Sequence, residues 1–383
     1  MRGVPLAWLQ LTREKQRFSV AVAGIAFAVI LMLMQLGLRD ALYESATKLF
    51  EHLRGDLIVT SSQYEYLFST DNFSQRRLYS ALALDEVQWV APLYLGIGTW
   101  REPVRFDERK ILVIGFLPTT PLLDFPQVQQ YAQEIQLPDL VLFDSLSRPE
   151  YGPVVSMFAR DHEVTTEVNG RRIKVAGLFT LGPTFGSNAH LITSDLNFLR
   201  MFRNRQQGLI DLGFIKLKPG ADPNRVAAEL RSILPHDVNV YTRQAMVDQE
   251  KNYWDQHLPL GFIFNLGSLM GLTVGGVVVY QILFADVNDQ LAEYATLKAM
   301  GYFDLDLFKI VLKESAMLSV IGFIPGYAIA QVLYIVAHDK AGVPIHMTVA
   351  RVLLVFVLTV ATCGISGAIA MQKLRVADPA EIF

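Results

Sequence analysis

The residues able to carry out chemistry are present in this chain but not in working arrangements. Its seven histidines are scattered, with no two of them three or four positions apart. The single cysteine, Cys363, sits inside an apolar stretch, so neither a Cys/His zinc site nor a disulfide framework can be built. His338 and His346 share one short polar loop and read as surface histidines. A nucleotide-binding loop needs backbone amides and a lysine around the phosphates. The chain has no G-x-x-x-x-G-K-[ST] segment and lacks even a Gly-Lys pair. A G-x-S-x-G nucleophile turn and an H-E-x-x-H helix are likewise missing. The expectation is a non-enzymatic chain with no cofactor or metal of its own.

The elements that would position any site point to lipid. Of 383 residues, 51% are hydrophobic and only 19% charged, below the quarter or so typical of soluble domains. Mean hydropathy is +0.29. The formal net charge of -3, with no long basic run, argues against a nucleic-acid partner. A bilayer core about 30 Å thick needs roughly 20 apolar residues in a helix. Four stretches qualify: 18–38, 258–285, 315–337 and 352–372. The first could be a signal peptide. However, it is long, and LRDALYESATKLFEHL continues its helical pattern without a small-x-small cleavage site, so it reads as an uncleaved span.

Orientation follows from the short flanks. Arg2, Arg13, Lys15 and Arg17 precede the first span, Lys298, Lys309 and Lys313 lie between the second and third, and Lys373 and Arg375 follow the fourth. The loop between the third and fourth holds only Lys340 and the membrane-edge Arg351. The positive-inside rule then places both termini in the cytoplasm and residues 39–257 outside. The spans themselves hold no Asp, Glu, Lys or Arg, only residues such as Gln35, Asn265, Gln281 and Gln331, which disfavours ion-coupled transport.

Beyond the first span, Leu42, Ala46, Leu49, Phe50 and Leu53 keep helical spacing up to Gly55, and Val247, Tyr253 and Trp254 predict a returning helix with Pro259 as a kink. Two antiparallel stalks, about 39–54 and 244–257, would join the outer domain to the membrane. That domain reads as mixed α/β. DLIVTS and KILVIGF look like strands, and EVTTEVNGRRIKVAGLF like a hairpin turning at Asn169-Gly170. A β-α-β unit follows, with Asp222 capping a helix that starts at Pro223. Residues 118–160, rich in proline, allow an inserted subdomain. In the second span Gly267, Gly271 and Gly275 repeat every four residues, as Gly322 and Gly326 do in the third, where Pro325 should kink the helix. Such faces serve helix packing within one chain or a homodimer seam.

The loop over 286–314 is too polar to span, and Leu291, Tyr294, Leu297, Lys298 and Met300 predict a short membrane-side helix ended by Gly301. A second amphipathic run, 303–312, feeds the third span. The segment E-Y-A-T-L-K-A-M-G-Y (293–302) resembles the E-[IY]-x-x-L-[RK]-A-[LM]-G coupling helix of FtsX/MacB-type (type VII) ABC permeases. The start P-L-A-W-L-Q-L-T-R-E-K-Q-R-F-S-V-A-V-A-G-I-A-F-A (5–28) and the closing D-P-A-E-I-F (378–383) are also similar to that family. Within it the chain resembles most the DevC permease of DevBCA-type tripartite exporters, whose best-known role is glycolipid export. MacB holds its nucleotide-binding domain on the same polypeptide; the departure of this sequence from that pattern implies a separate ATPase partner.

The resemblance implies a four-helix membrane protein in a one-plus-three arrangement. In order come a lead-in helix (1–17), span one (18–38), the outer domain (39–257), span two (258–285), the coupling loop (286–314), span three (315–337), an outer loop (338–351), span four (352–372) and a tail (373–383). It further implies a bacterial inner-membrane homodimer that binds a separate ATPase through Glu293, Tyr294, Leu297, Lys298 and Gly301, with ATP and Mg held by that partner. A periplasmic adaptor (membrane fusion protein) and, indirectly, a TolC-like outer-membrane channel would complete the assembly. The scaffold also allows lipoprotein release, or FtsX-like regulation of a cell-wall hydrolase.

Overall fold

The computed structural model describes residues 15–69, 71–257, 259–289, 300, 303–341 and 344–376. The chain separates into two compact units, Leu42–Leu258 and Met1–Ala41 with Pro259–Phe383. One helix, α1 (Lys15–Glu51), contributes residues to both.

The outer unit is built on a nine-stranded sheet in the order β11-β1-β10-β3-β4-β8-β5-β7-β6. Its strands are β1 (Leu57–Ser61), β3 (Val87–Arg101), β4 (Glu108–Phe116), β5 (Leu140–Asp144), β6 (Val164–Val168), β7 (Arg171–Phe179), β8 (His190–Ser194), β10 (Leu212–Leu217) and β11 (Val238–Thr242). A separate pair joins β2 (Phe73–Ser74) to β9 (Leu209–Ile210). The long strand β3 pairs with β10 through Val87–Leu93 and with β6 through Trp100 and Arg101. This second pairing closes β3-β4-β8-β5-β7-β6 on itself and removes two edges that would otherwise be open for pairing. β4–β8 and β5–β7 are parallel.

Burial on both faces explains the continuous apolar run of β4. Ile111 and Val113 enter one core with Leu57, Val59, Trp100 and Phe143, whereas Leu112, Ile114 and Phe116 enter a second with Ile58, Phe179 and Phe214. At the β6–β7 turn both central residues adopt positive φ, Asn169 at 52° and Gly170 at 71°, the geometry a two-residue type I′ hairpin demands. Among the helices of this unit are α2 (Asp195–Met201), α3 (Pro223–Ile233) and α4 (Arg243–His257). The Asp222 side chain accepts the Asn224 N–H at 2.9 Å and so caps α3. β10 and β11 run parallel through α3 but are separated by β1, which is antiparallel to both, so the β-α-β unit is split. The proline-rich middle supplies β5 to the same sheet and is not an inserted subdomain.

The other unit contains α5 (Leu260–Asp289), α6 (Asp304–Ala341), α7 (Val349–Val376) and the first part of α1. All four helices are long and apolar enough to cross a membrane. Their shared core takes Ile25, Val29, Met32 and Leu33 from α1, Val279 and Leu283 from α5, Leu318 and Ala330 from α6, and Val355 and Cys363 from α7. Large apolar side chains such as Phe262, Met270, Ile324 and Val357 remain exposed, as lipid-facing positions require. Pro259 does not kink a continuous helix. It precedes α5 and gives its carbonyl to the Ile263 N–H at 2.8 Å, a position where the missing proline N–H is of no consequence. Pro325 lies inside α6, which continues through it.

Candidate functional site

The predicted coupling residues Glu293, Tyr294, Leu297, Lys298 and Gly301 lie outside the described residues. The helices flanking them are described. Arg17 of α1 reaches Asp289 of α5 at 2.5 Å and Asp286 at 3.9 Å. Glu314 of α6 is 2% exposed, and its Oε1 has no hydrogen-bond partner.

The glycines of α5 lie against the chain's own first helix. A Cβ built on Gly275 would stand 2.7 Å from Ala28 Cβ, one on Gly271 3.1 Å from Leu31 Cβ, and one on Gly267 2.6 Å from the Gln35 amide carbon. Gly322 and Gly326 of α6 meet Ile25 and Val29 of α1 in the same way, at 2.6 and 2.8 Å. Lipid provides no hydrophobic drive for helix pairing, so close backbone approach across small residues supplies the dispersion contacts that hold α1 between α5 and α6. The surface that a dimer seam through Gly267, Gly271 and Gly275 would need is filled by α1.

A polar cluster marks the other end of this unit. Arg351 of α7 is 7% exposed, and its guanidinium is satisfied on every side. Nε and Nη2 donate to Asp40 Oδ2 at 3.2 and 2.6 Å, and Nη1 to the Tyr334 hydroxyl at 3.1 Å and the His346 carbonyl at 2.7 Å. The Tyr334 hydroxyl donates in turn to the Leu33 carbonyl of α1 at 2.5 Å. Arg39 donates to Asn265 Oδ1 of α5 at 3.0 Å. Spacing alone did not reveal this cluster, because Asp40 and Arg351 are 311 positions apart.

In the outer unit the predicted stalk residues are built into the domain rather than free-standing. Leu49 and Leu53 enter the second core with Phe50 and with Met246 of α4, Leu53 forms a bridge to Leu123, and Leu42 is half-buried. The α1 helix ends at Glu51, ahead of Gly55, where Arg243 donates to the carbonyls of Phe50 and Glu51. Tyr253 stacks on Tyr66 at 4.5 Å between ring centres, and Trp254 meets Tyr66 and Phe185 edge-on at 5.0 and 4.4 Å. Tyr66, Phe185 and Trp254, with Phe68, Ile97, Lys110, Tyr151, Ser187 and Asn188, line a cleft of about 460 Å³.

One turn before Trp254, Glu250 is fully buried. Its carboxylate accepts the Tyr64 hydroxyl at 2.8 Å and the Leu67 N–H at 3.1 Å. Burial pushes its pKa up to about 6, and raises that of Tyr64. A second buried cluster has the outline of a catalytic triad: Asp144 Oδ2 lies 3.1 Å from His190 Nδ1, and Thr184 Oγ1 lies 3.0 Å from Nε2. Asp144 and His190 are fully buried, and Asp144 also accepts the N–H groups of Leu146, Leu181 and Gly182. With every acceptor engaged and no solvent access to the imidazole, the cluster braces the loop before β8. Among the described residues no group of three or more His, Cys, Asp or Glu side chains is placed to hold a metal.

Four apolar helices with a mixed α/β domain inserted after the first define an α-helical membrane protein with a large extramembrane domain of periplasmic type. The family model for the MacB-like periplasmic core domain matches residues 18–233, and that for the FtsX-like permease C-terminal matches residues 265–379. The first covers more than half of the chain, and the chain belongs to that family. It is similar to an uncharacterized ABC transporter permease of Methanocaldococcus jannaschii, at 22% identity over 221 residues. That alignment covers 54% of each protein, so the chain spans about half the length of the curated relative it matches. Among solved structures it is similar to the periplasmic region of MacB from Actinobacillus actinomycetemcomitans, at 11% identity and a TM-score of 0.35, covering 52% of this chain and 94% of that one. It is also similar to the extracellular domain of the noncanonic ABC-type transporter YknZ from Gram-positive bacteria, at 9% and 0.33, covering 49% and 99%.

Proposed function

We propose that this chain is the permease subunit of an ATP-driven exporter and that it works by mechanotransmission. A separate ATPase holds ATP and Mg and docks on the loop around Glu293, Leu297 and Lys298. ATP-driven closure moves the membrane helices, and α1 and α4 deliver that movement to the outer domain. Cargo is carried through the envelope assembly without crossing these spans. The observation that carries the reading is the joint match of both family models to a one-plus-three arrangement in which α1 is one helix from Lys15 to Glu51.

The finer assignment is a DevC-type role in a tripartite complex. Two copies of the chain sit in the bacterial inner membrane with both termini cytoplasmic, and the outer domains engage a periplasmic adaptor that leads to a TolC-like channel. The cargo is a lipid, glycolipid or other hydrophobic compound. The charge-free spans support a route that does not pass through them, since an ion-coupled pathway retains costly ionisable groups near the midplane.

Reconstitution with the partner ATPase tests the core of this reading. The wild-type chain should stimulate ATP hydrolysis, whereas Glu293→Lys and Leu297→Asp should insert normally and stimulate at most a tenth as well. ATP hydrolysis by the purified chain alone, or full stimulation by both variants, would overturn it.

A further inference from the structure

Two kinds of contact hold α1 among the other membrane helices, and they do different work. Along its length α1 packs through Ala28, Ile25 and Val29 against Gly275 of α5 and Gly322 and Gly326 of α6. Such contacts are dispersion between closely approaching helix surfaces and carry no direction of their own. They resist separation of the helices, and the seating of Ile25 and Val29 against Gly322 and Gly326 adds a steric bar to sliding but no directional bond. Hydrogen bonds, by contrast, weaken steeply once distance or angle changes. Among the described residues, and besides the Arg17 pairs with Asp286 and Asp289 at one end, the directional links from α1 to the other membrane helices cluster within Leu33–Asp40: Tyr334 to the Leu33 carbonyl, Arg39 to Asn265 and Arg351 to Asp40.

The cluster is made possible by one glycine. A Cβ on Gly37 would collide with the Tyr334 hydroxyl and stand 2.6 Å from its ring carbon Cζ. Without that methyl the hydroxyl reaches past the helix surface to a main-chain carbonyl, an acceptor that cannot rotate away. Arg351 then anchors the same hydroxyl from α7 while pairing with Asp40. Arg351 is buried while the Asp40 side chain is 41% exposed, so desolvation of the guanidinium and solvent screening of the carboxylate offset much of the attraction, and the pair serves to fix geometry more than to add stability.

We infer that Gly37, Asp40, Tyr334 and Arg351 form a register lock that fixes the axial position of α1 against α6 and α7 and transmits their movement to it. The inference rests on the mechanotransmission reading for its second half alone; the lock itself stands on the geometry.

The test uses the full-length chain in nanodiscs, in a Cys363→Ala background. Spin labels at Val20→Cys and Ile335→Cys, both exposed positions on α1 and α6, report the axial offset of the two helices. The otherwise wild-type pair should give one narrow distance distribution, broadened or displaced by several ångströms in Tyr334→Phe and in Asp40→Asn combined with Arg351→Gln. The first variant loses only an O–H, so folding is preserved if the paired neutralisation proves too severe. Distributions unchanged in both would overturn the lock.

In the complex with the ATPase, an environment-sensitive dye on Leu196→Cys, exposed on the outer domain, should respond to vanadate trapping. The same variants should hydrolyse ATP within twofold of wild type and lose at least four-fifths of that response. A full response in both variants would overturn transmission through the lock. A wild-type complex without any response would instead overturn the transporter reading, leaving the distance measurement to decide the lock.

Discussion

At the scale of residues, the buried polar groups of this protein are paired in ways that make their removal informative. Glu250 has its pKa raised by burial from an ordinary 4.5 to about 6. The folded state therefore binds this proton more tightly than the unfolded state, and stability falls as pH rises between those two values. Below about 4.5 the penalty is absent, and above about 6 it is fully expressed, at about 2 kcal/mol by linkage. Glu250→Gln should stabilise the outer domain by an amount of that order at pH 7 and leave it unchanged at pH 4. Denaturant melts at the two pH values check this, and a variant equally destabilised at both would contradict it. Gly170→Val should cost about 1 kcal/mol or more, because a β-branched residue resists the φ of 71° that the β6–β7 turn requires; urea midpoints of the two proteins measure it. His190 and Asp144 show how a triad-like geometry can be wholly structural when no solvent reaches it.

At the scale of elements, what could be read from the sequence divides by whether the signal is local. The Asn169-Gly170 turn, the Asp222 cap, the β1 and β4 runs and the four apolar stretches each carry their cause within a few residues, and each formed as expected. The longest strand did not announce itself: Pro92, Gly96 and Gly98 interrupt β3, and such residues ordinarily argue against a strand interior. They are accommodated because Gly96, with Gly115 of β4, forms a floor on which Phe198 and Phe202 lie. Helix limits were also missed where an apolar window ended before the helix did. α6 begins at Asp304, eleven residues ahead of the predicted span, so the amphipathic run and the third span are one element. Continuity matters equally for α1. If that helix carries movement, inserting Gly-Ser-Gly-Ser after Glu44 should abolish export and spare membrane insertion, whereas four alanines there should retain a substantial part of it. Equal export by both insertions would show that helical continuity is irrelevant.

At the scale of the whole molecule, the class of protein was legible because topology is written in hydropathy, but the closing of the sheet and the polar cluster on α1 were not. β3–β6 pairing joins residues nearly 70 apart, and Asp40 meets Arg351 from the far end of the sequence. Arg351 was visible only as a membrane-edge charge, and the pairing that gives it a role exists only in the fold. The central claim is that force applied to the loop around Lys298 on one side of the membrane is delivered to the domain on the other. The measurement that tests it most directly is sidedness. Lys298→Cys and Leu196→Cys are each treated with a membrane-impermeant maleimide in sealed vesicles of both orientations. Position 298 should react only in inverted vesicles and position 196 only in right-side-out ones. Reaction of both from the same side would contradict the account.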